Sequence, residues 1–291
     1  MTKKDGVLAL LVTFIWGINF SVIKLGLGSM DPFILASLRF FLTAIPLVFF
    51  LPRPEVKLSM LVLYGLLFGV GLWGMVNLGI HLGASPGVAS LLLQLSAFFT
   101  IIFGYFFFSE KLNSKQIVAM LVSLCGLAIL IFSSNTSSNL VALLFVIFGA
   151  VSMGLSNVMI KKISPKNVFS FMAWSSLFAP IPLLLLAVWT NKNLTLASAF
   201  SSIDGWGVFS ILFQVYITTL FAYWVWNNLL KKYPISTVAP VSLLVPVFGF
   251  IGSAVIFQEE LTATKLLSSG LILLGLVVFV LSNCVKKGEQ T

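Results

Sequence analysis

Ser85-Pro86-Gly87-Val88-Ala89-Ser90 opens an apolar run to Phe108, where Ser109-Glu110-Lys111-Leu112 interrupts it before a second apolar run to Phe132. The chain contains this pattern twice. From Glu110 to Glu259 the offset is 149 residues, and the same offset carries Leu112 onto Leu261, Gly126 onto Gly275 and Leu127 onto Leu276. Pro234 stands near the start of the second copy. Apolar segments match one another cheaply, but a recurring polar break and a recurring glycine do not, and they point to an ancestral duplication. Gly154 to Lys161 lies over Gly17 to Lys24 at an offset of 137, a further echo of it.

Composition decides the solvent. Hydrophobic residues make up 59% of the chain and charged residues 9%, a balance no water-soluble domain needs. About ten stretches are long enough to span roughly 30 Å of hydrocarbon: 6–28, 32–51, 58–82, 86–108, 114–132, 140–161, 168–190, 206–230, 235–257 and 264–284. They are apolar all round and must be helices, since an open sheet leaves backbone polar groups unsatisfied in lipid. The predicted fold class is an all-α integral membrane protein. Residues 1–135 form one five-helix half and residues 136–291 the other, with the polar loop Ser133 to Asn139 as the seam.

The net charge of +9 is not a nucleic-acid signal. Of the 17 Lys and Arg, 13 fall in alternate gaps: Lys3, Lys4, Arg53, Lys57, Lys111, Lys115, Lys161, Lys162, Lys166, Lys231, Lys232, Lys286 and Lys287. This is the positive-inside pattern, and it places both termini in the cytoplasm. Five spans is an odd number, so the second half enters from the opposite side, as an inverted repeat. The first span is expected to stay attached, because its apolar run is too long for a signal peptide and no small-residue cleavage site follows.

Several chemistries are excluded. Cys125 and Cys284 lie at different depths and make no disulfide framework. One histidine and two distant cysteines make no metal site, no P-loop precedes a Lys-Ser or Lys-Thr, and no cofactor is called for. Asn193-Leu194-Thr195 fits a glycosylation pattern that is short enough to arise by chance. Asp31 can cap the second span with Pro32 at its first position, and Pro180 and Pro182 are expected kinks in the seventh.

Polar side chains at membrane depth are costly and belong against a cavity or another helix. Trp73, Asn77 and His81 follow one another at i, i+4 and i+8 on one helix side. Trp16 and Asn19 lie on the first span, Gln94 on the fourth, Asn157 on the sixth, and Tyr223 and Asn227 on the eighth. Trp16, Asn19, Trp73, Asn77, Gln94, Asn157, Tyr223 and Asn227 are the expected lining of a mid-membrane cavity; their neutral amides offer donors and acceptors to the ammonium and carboxylate of one small solute. The bland alternative is packing between helices. Trp226 is assigned to an interfacial aromatic belt. Arg39 is the only charge well inside a span, and a structural ion pair or backbone carbonyls are expected around it in preference to a substrate-binding role. Glu110 and Glu259 read as caps or loop anchors. His81 can titrate near neutral pH, so it is either proton-linked or a hydrogen-bonding group near the outer end.

The residues Trp16-Gly17-Ile18-Asn19-Phe20, Leu38-Arg39-Phe40, Ala89-Ser90-Leu91-Leu92 before Ser109-Glu110-Lys111-Leu112, and Val238-Ala239-Pro240 before Glu259-Glu260-Leu261 resemble the drug/metabolite transporter superfamily in its form with two EamA-type halves. Lys4-Asp5-Gly6-Val7-Leu8-Ala9-Leu10 and Ala239 to Val247 are similar to bacterial exporters of O-acetylserine and cysteine. The resemblance implies a basket-like monomer in the bacterial inner membrane. It also implies a central cavity lined by spans one, three, four, six, eight and nine, with five and ten peripheral. The function expected is secondary export of small amino acids or their metabolites by alternating access. The alternatives are a carrier for a larger, nucleotide-type solute, which needs more cationic lining, and a membrane-embedded receptor or enzyme, for which His81 alone is thin support. No Asp or Glu lies well inside a span, so export of quaternary or lipophilic cations is expected to be poor.

Overall fold

The computed structural model describes residues 1–108, 114–133, 137–192, 195, 201–233 and 238–288. Among these, every regular element is helical. Six helices are long and apolar enough to cross a membrane: α1 (Lys3–Gly26), α3 (Leu58–His81), α4 (Pro86–Phe107), α6 (Leu140–Ile163), α7 (Val168–Thr190) and α8 (Gly205–Leu229). Four shorter apolar helices are interleaved with them: α2 (Pro32–Val48), α5 (Ser114–Ile129), α9 (Val241–Phe257) and α10 (Ala263–Phe279). The break at Ser109–Leu112 with Glu110, the position of Pro234, the residues 134–136 of the seam and the Asn193-Leu194 pair lie outside the described residues.

Polar caps set the helix starts. Asp31 accepts from the backbone N–H groups of Phe33 (2.8 Å) and Ile34 (3.3 Å), with Pro32 at the first helical position. Asp204 accepts from Gly207 N–H at 2.7 Å and from the Ser29 hydroxyl at 2.8 Å, which ties the start of α8 to the α1–α2 turn. The interior is apolar around Phe33, Leu35, Leu72, Leu91, Phe171 and Leu183. The exterior is apolar too: Phe49, Phe50, Phe106, Phe132 and Trp189 are each more than 70% exposed. A surface meeting water would not carry such rings, whereas acyl chains solvate them.

The α-helical ladder is broken at a few places. Helix α3 is π-helical over Leu66–Gly74, and α8 over Phe213–Phe221. Helix α4 divides between Leu93 and Ser96, α7 between Ser176 and Pro180, and α9 begins in the 3-10 stretch Ala239–Leu244. Pro180 sits where the sequence leads one to expect a kink. No residue type announces the two π-helical stretches.

Helices α5 and α10 pack through the glycines that the duplication equates. A Cβ on Gly126 would stand 2.7 Å from the Ser268 carbonyl oxygen and 2.9 Å from Leu271 Cβ. A Cβ on Gly275 would meet the Ser123 hydroxyl and stand 2.5 Å from the Ala119 carbonyl oxygen. Ser123 also donates to the Ile272 carbonyl at 3.0 Å. Ser268 is the counterpart of Ala119 and Ile272 of Ser123, so each half of the contact mirrors the other. Moving along α5 from Ala119 to Gly126 moves backward along α10 from Gly275 to Ser268, so the pair is antiparallel and related by a local two-fold.

Gly126→Ala and Gly275→Ala are each expected to cost about 1–3 kcal/mol by overpacking. Gly270→Ala on α10 meets nothing within 4 Å and should be neutral or gain up to ~1 kcal/mol of helix propensity. Thermal unfolding of the detergent-purified variants checks this, and equal effects at all three positions would contradict the packing.

Candidate solute-binding cavity

A cavity of about 740 Å³ lies between the helices. Helix α1 brings Trp16 and Asn19 to it, α3 Tyr64 and Trp73, α4 Ser90 and Gln94, α6 Met153 and Asn157, α8 Thr218, Tyr223, Trp226 and Asn227, and α9 with its 3-10 lead Ser242 and Val245. Val168 and Met172 of α7 complete the wall, a contribution the resemblance does not imply; α5 and α10 contribute no lining residue. Four of the irregular stretches border it: Trp73 ends the π-helical part of α3, Gln94 stands in the α4 break, Thr218 lies in the π-helical part of α8, and Ser242 lies in the 3-10 turn. Irregular backbone is tolerated at membrane depth where it lines a cavity or is covered by protein.

The polar wall is hydrogen-bonded across helices. The Trp16 indole N–H donates to the Thr218 carbonyl at 3.3 Å, and the Thr218 hydroxyl donates to Asn19 Oδ1 at 3.0 Å. The Gln94 amide donates to the Ser242 carbonyl at 2.8 Å, and the Asn157 amide to the Thr100 hydroxyl at 3.1 Å. Gln94 and Asn157 each spend an N–H on the protein and keep a carbonyl oxygen as an acceptor. Trp16 packs against Tyr223 and Trp226 with ring centroids 5.2 and 5.1 Å apart.

Of the eight residues expected in the lining, the structure brings Trp16, Asn19, Trp73, Gln94, Asn157, Tyr223 and Asn227 to this cavity. Asn77 is elsewhere: it is buried at 1% exposure, and its amide donates to the Pro32 carbonyl at 3.3 Å. Asn77 lies one turn past Trp73, in the α-helical end of α3 that packs on the start of α2, beyond the reach of the cavity. His81 ends α3, exposed and away from the cavity. Trp226, assigned to the belt, lines the cavity, while its neighbour Trp224 is 60% exposed. Tyr64, Thr218 and Ser242 join the wall beyond the residues expected there; Thr218 lies in the π-helical part of α8, where the next hydroxyl, Thr219, bonds the Gln214 carbonyl five residues back at 2.7 Å.

Arg39 does not form the expected ion pair: no carboxylate of the described residues is within 4.0 Å of it. It donates to Gln214 Oε1 at 3.4 Å and to the Thr219 hydroxyl at 3.2 Å, and its guanidinium lies 4.1 Å over the Trp73 ring. Neutral oxygens and a π face replace the carboxylate.

The cavity reaches the membrane end occupied by Ile160, Val168 and Asn227, beside Lys161, Lys162 and Lys232. The opposite end is shut by close backbone packing. A Cβ on Gly17 would stand 2.6 Å from the Val245 carbonyl oxygen, and Gly249 abuts Ser90. Beyond them Lys24 pairs with Glu259 at 2.9 Å, which gives Glu259 the anchoring place its sequence context suggests. Partial burial raises the Glu259 carboxyl, but the hydrogen bond and charge of Lys24 help outweigh it and hold the group below the usual glutamate range. The ion pair ties the end of α9 to α1.

The sequence profile of the EamA-like transporter family matches the chain twice, over residues 5–132 and 140–281. The chain belongs to this family. Two relatives named "probable amino-acid metabolite efflux pump" are each 38% identical to it. One, from Escherichia coli K12, aligns over 96% of both chains; the other, from Salmonella typhimurium LT2, aligns over 99% of this chain and 98% of its own. A solved crystal structure shares the fold at a TM-score of 0.61 and 16% identity, covering 97% of this chain and 98% of its own. The EamA-like fold is thus a two-repeat membrane fold, and the cavity lies within it.

Replacing Asn77 by alanine removes a long bond to a carbonyl that keeps its helical partner, so it should cost only about 0.5–1.5 kcal/mol of stability, and should leave the transport KM unchanged. Gln94→Ala should raise KM by roughly tenfold, about 1.4 kcal/mol. Thermal midpoints and counterflow kinetics in proteoliposomes read both, and a KM effect confined to Asn77→Ala would contradict this assignment.

Proposed function

We propose that this EamA-family protein is a secondary exporter of the bacterial inner membrane that carries small amino acids or amino-acid metabolites by alternating access. The observation that carries the reading is the 740 Å³ cavity walled by neutral amides, hydroxyls and indoles. Such a wall can meet an ammonium and a carboxylate on one small solute without fixed charges of either sign. The relatives named as efflux pumps support the same class.

The ten apolar helices are read as two five-helix halves, residues 1–135 and 136–291, in inverted orientation. The reciprocal, antiparallel packing of Gly126 and Gly275 supports this, and so do the alternating Lys and Arg. In this orientation both termini are cytoplasmic and the cavity faces the cytoplasm. The Lys24–Glu259 tether and the Gly17 and Gly249 contacts close the outer side. An exporter waiting for solute rests in this state, and one chain supplies the whole cavity, so a monomer suffices. The volume would also admit a larger solute, but no Lys or Arg lines the main cavity itself, where the several phosphate oxygens of a nucleotide would need them.

Purified protein in proteoliposomes should exchange labelled cysteine or O-acetylserine and should not carry ethidium. Because no carboxylate lines the cavity, an imposed pH gradient should not drive accumulation through one. Strong gradient-driven ethidium transport with no amino-acid exchange would overturn the reading.

A further inference from the structure

A second, smaller chamber of about 20 Å³ adjoins the cavity and shares Phe68, Met172 and Tyr223 with it. That is the space of a water or one small anionic group. Arg39 is its charged wall, and Thr43, Thr219 and Tyr223 supply other polar atoms. Arg39 is 2% exposed at membrane depth, where a cation needs a compensating partner. A guanidinium has five N–H donors, and protein oxygens take two of them, on Gln214 and Thr219. The hydroxyl protons of Thr43, Thr219 and Ser176, which also lines the chamber, are already spent, on the Arg39 carbonyl at 2.8 Å, the Gln214 carbonyl at 2.7 Å and the Met172 carbonyl at 2.8 Å. The guanidinium and the Tyr223 phenol, both donors, remain to face the chamber. No Asp or Glu lines the chamber or the cavity.

We propose that this chamber is a small-anion subsite, and that the anion is the carboxylate of the exported solute, held by Arg39 and Tyr223. The rest of the solute would lie in the main cavity, its ammonium against the rings of Trp16, Tyr223 and Trp226, which can take a cation on their faces. The subsite turns a general cavity into one that selects zwitterions. Amines that lack a carboxylate leave Arg39 with only its neutral oxygens and the Trp73 face, and lose the affinity that a carboxylate would add. This inference rests on the cavity being the solute's site.

Two measurements separate its failure from that of the exporter reading. The first is equilibrium binding of radiolabelled acetate to the purified protein by scintillation proximity, which needs no transport. Wild type should bind acetate saturably, with chloride as a weaker competitor. Arg39→Gln should lose at least tenfold in affinity, Arg39→Lys should recover part of it, and Tyr223→Phe should lose several-fold. The second is counterflow of labelled cysteine with unlabelled cysteine or cysteamine as competitor. Wild type should prefer cysteine, and Arg39→Gln should fall to the cysteamine level without changing cysteamine competition. Acetate binding unaffected in Arg39→Gln overturns the subsite even where cysteine is transported; so does wild-type competition by cysteamine equal to that by cysteine. Should the Arg39 variants fail to fold, unchanged acetate affinity in Tyr223→Phe overturns it by itself. Acetate binding that depends on Arg39 in a protein that exchanges no amino acid supports the anion site and sinks the exporter reading instead.

Discussion

Hydrocarbon offers a backbone no hydrogen-bond partner, and this constraint organises the whole molecule. A spanning helix can leave the α-helical ladder only where protein or a cavity takes up the freed groups. Here the π-helical turns of α3 and α8, the interruption of α4 at Gln94 and the 3-10 entry to α9 gather around one cavity. The same departures present polar atoms inward: the Thr218 carbonyl takes the Trp16 indole, and the Ser242 carbonyl takes the Gln94 amide. The irregular backbone and the polar wall are thus one feature.

Close packing on the other side of the cavity comes from small residues. Gly17 and Gly249 allow α1, α4 and α9 to approach until backbone meets backbone or hydroxyl, which leaves no room for solute there. In the proposed alternating-access cycle, these contacts and the Lys24–Glu259 pair are the ones that part. The Lys24 hydrogen bond and charge help hold the Glu259 carboxyl below the usual glutamate range, so the pair persists at neutral pH.

Much of this is legible in the sequence. Hydropathy locates the apolar helices, and Asp31-Pro32 and Pro180 mark a start and a break as capping and ring sterics require. Most of the cavity's amides can be named because an unpartnered carboxamide in lipid is costly. Register is the part that escapes. An α-helical period puts Asn77 on the side of Trp73, but one turn farther along α3 that side meets Pro32 instead of the cavity; Trp226 looks interfacial from its nearness to Lys231 and Lys232, yet it packs on Trp16. Arg39 at membrane depth calls for a carboxylate and finds a tryptophan face. π-helical turns have no composition of their own, so no count of residues foretells them.

The central claim is that the cavity between α1, α3, α4, α6, α8 and α9 is where the solute binds. Met153 lines it without making any of its hydrogen bonds. The most direct measurement is labelling of Met153→Cys, in a chain with Cys125 and Cys284 replaced, by a small impermeant thiosulfonate in inside-out vesicles. The account predicts labelling that a transported amino acid slows in proportion to its occupancy. Labelling that proceeds at the same rate with and without saturating transported solute would contradict it.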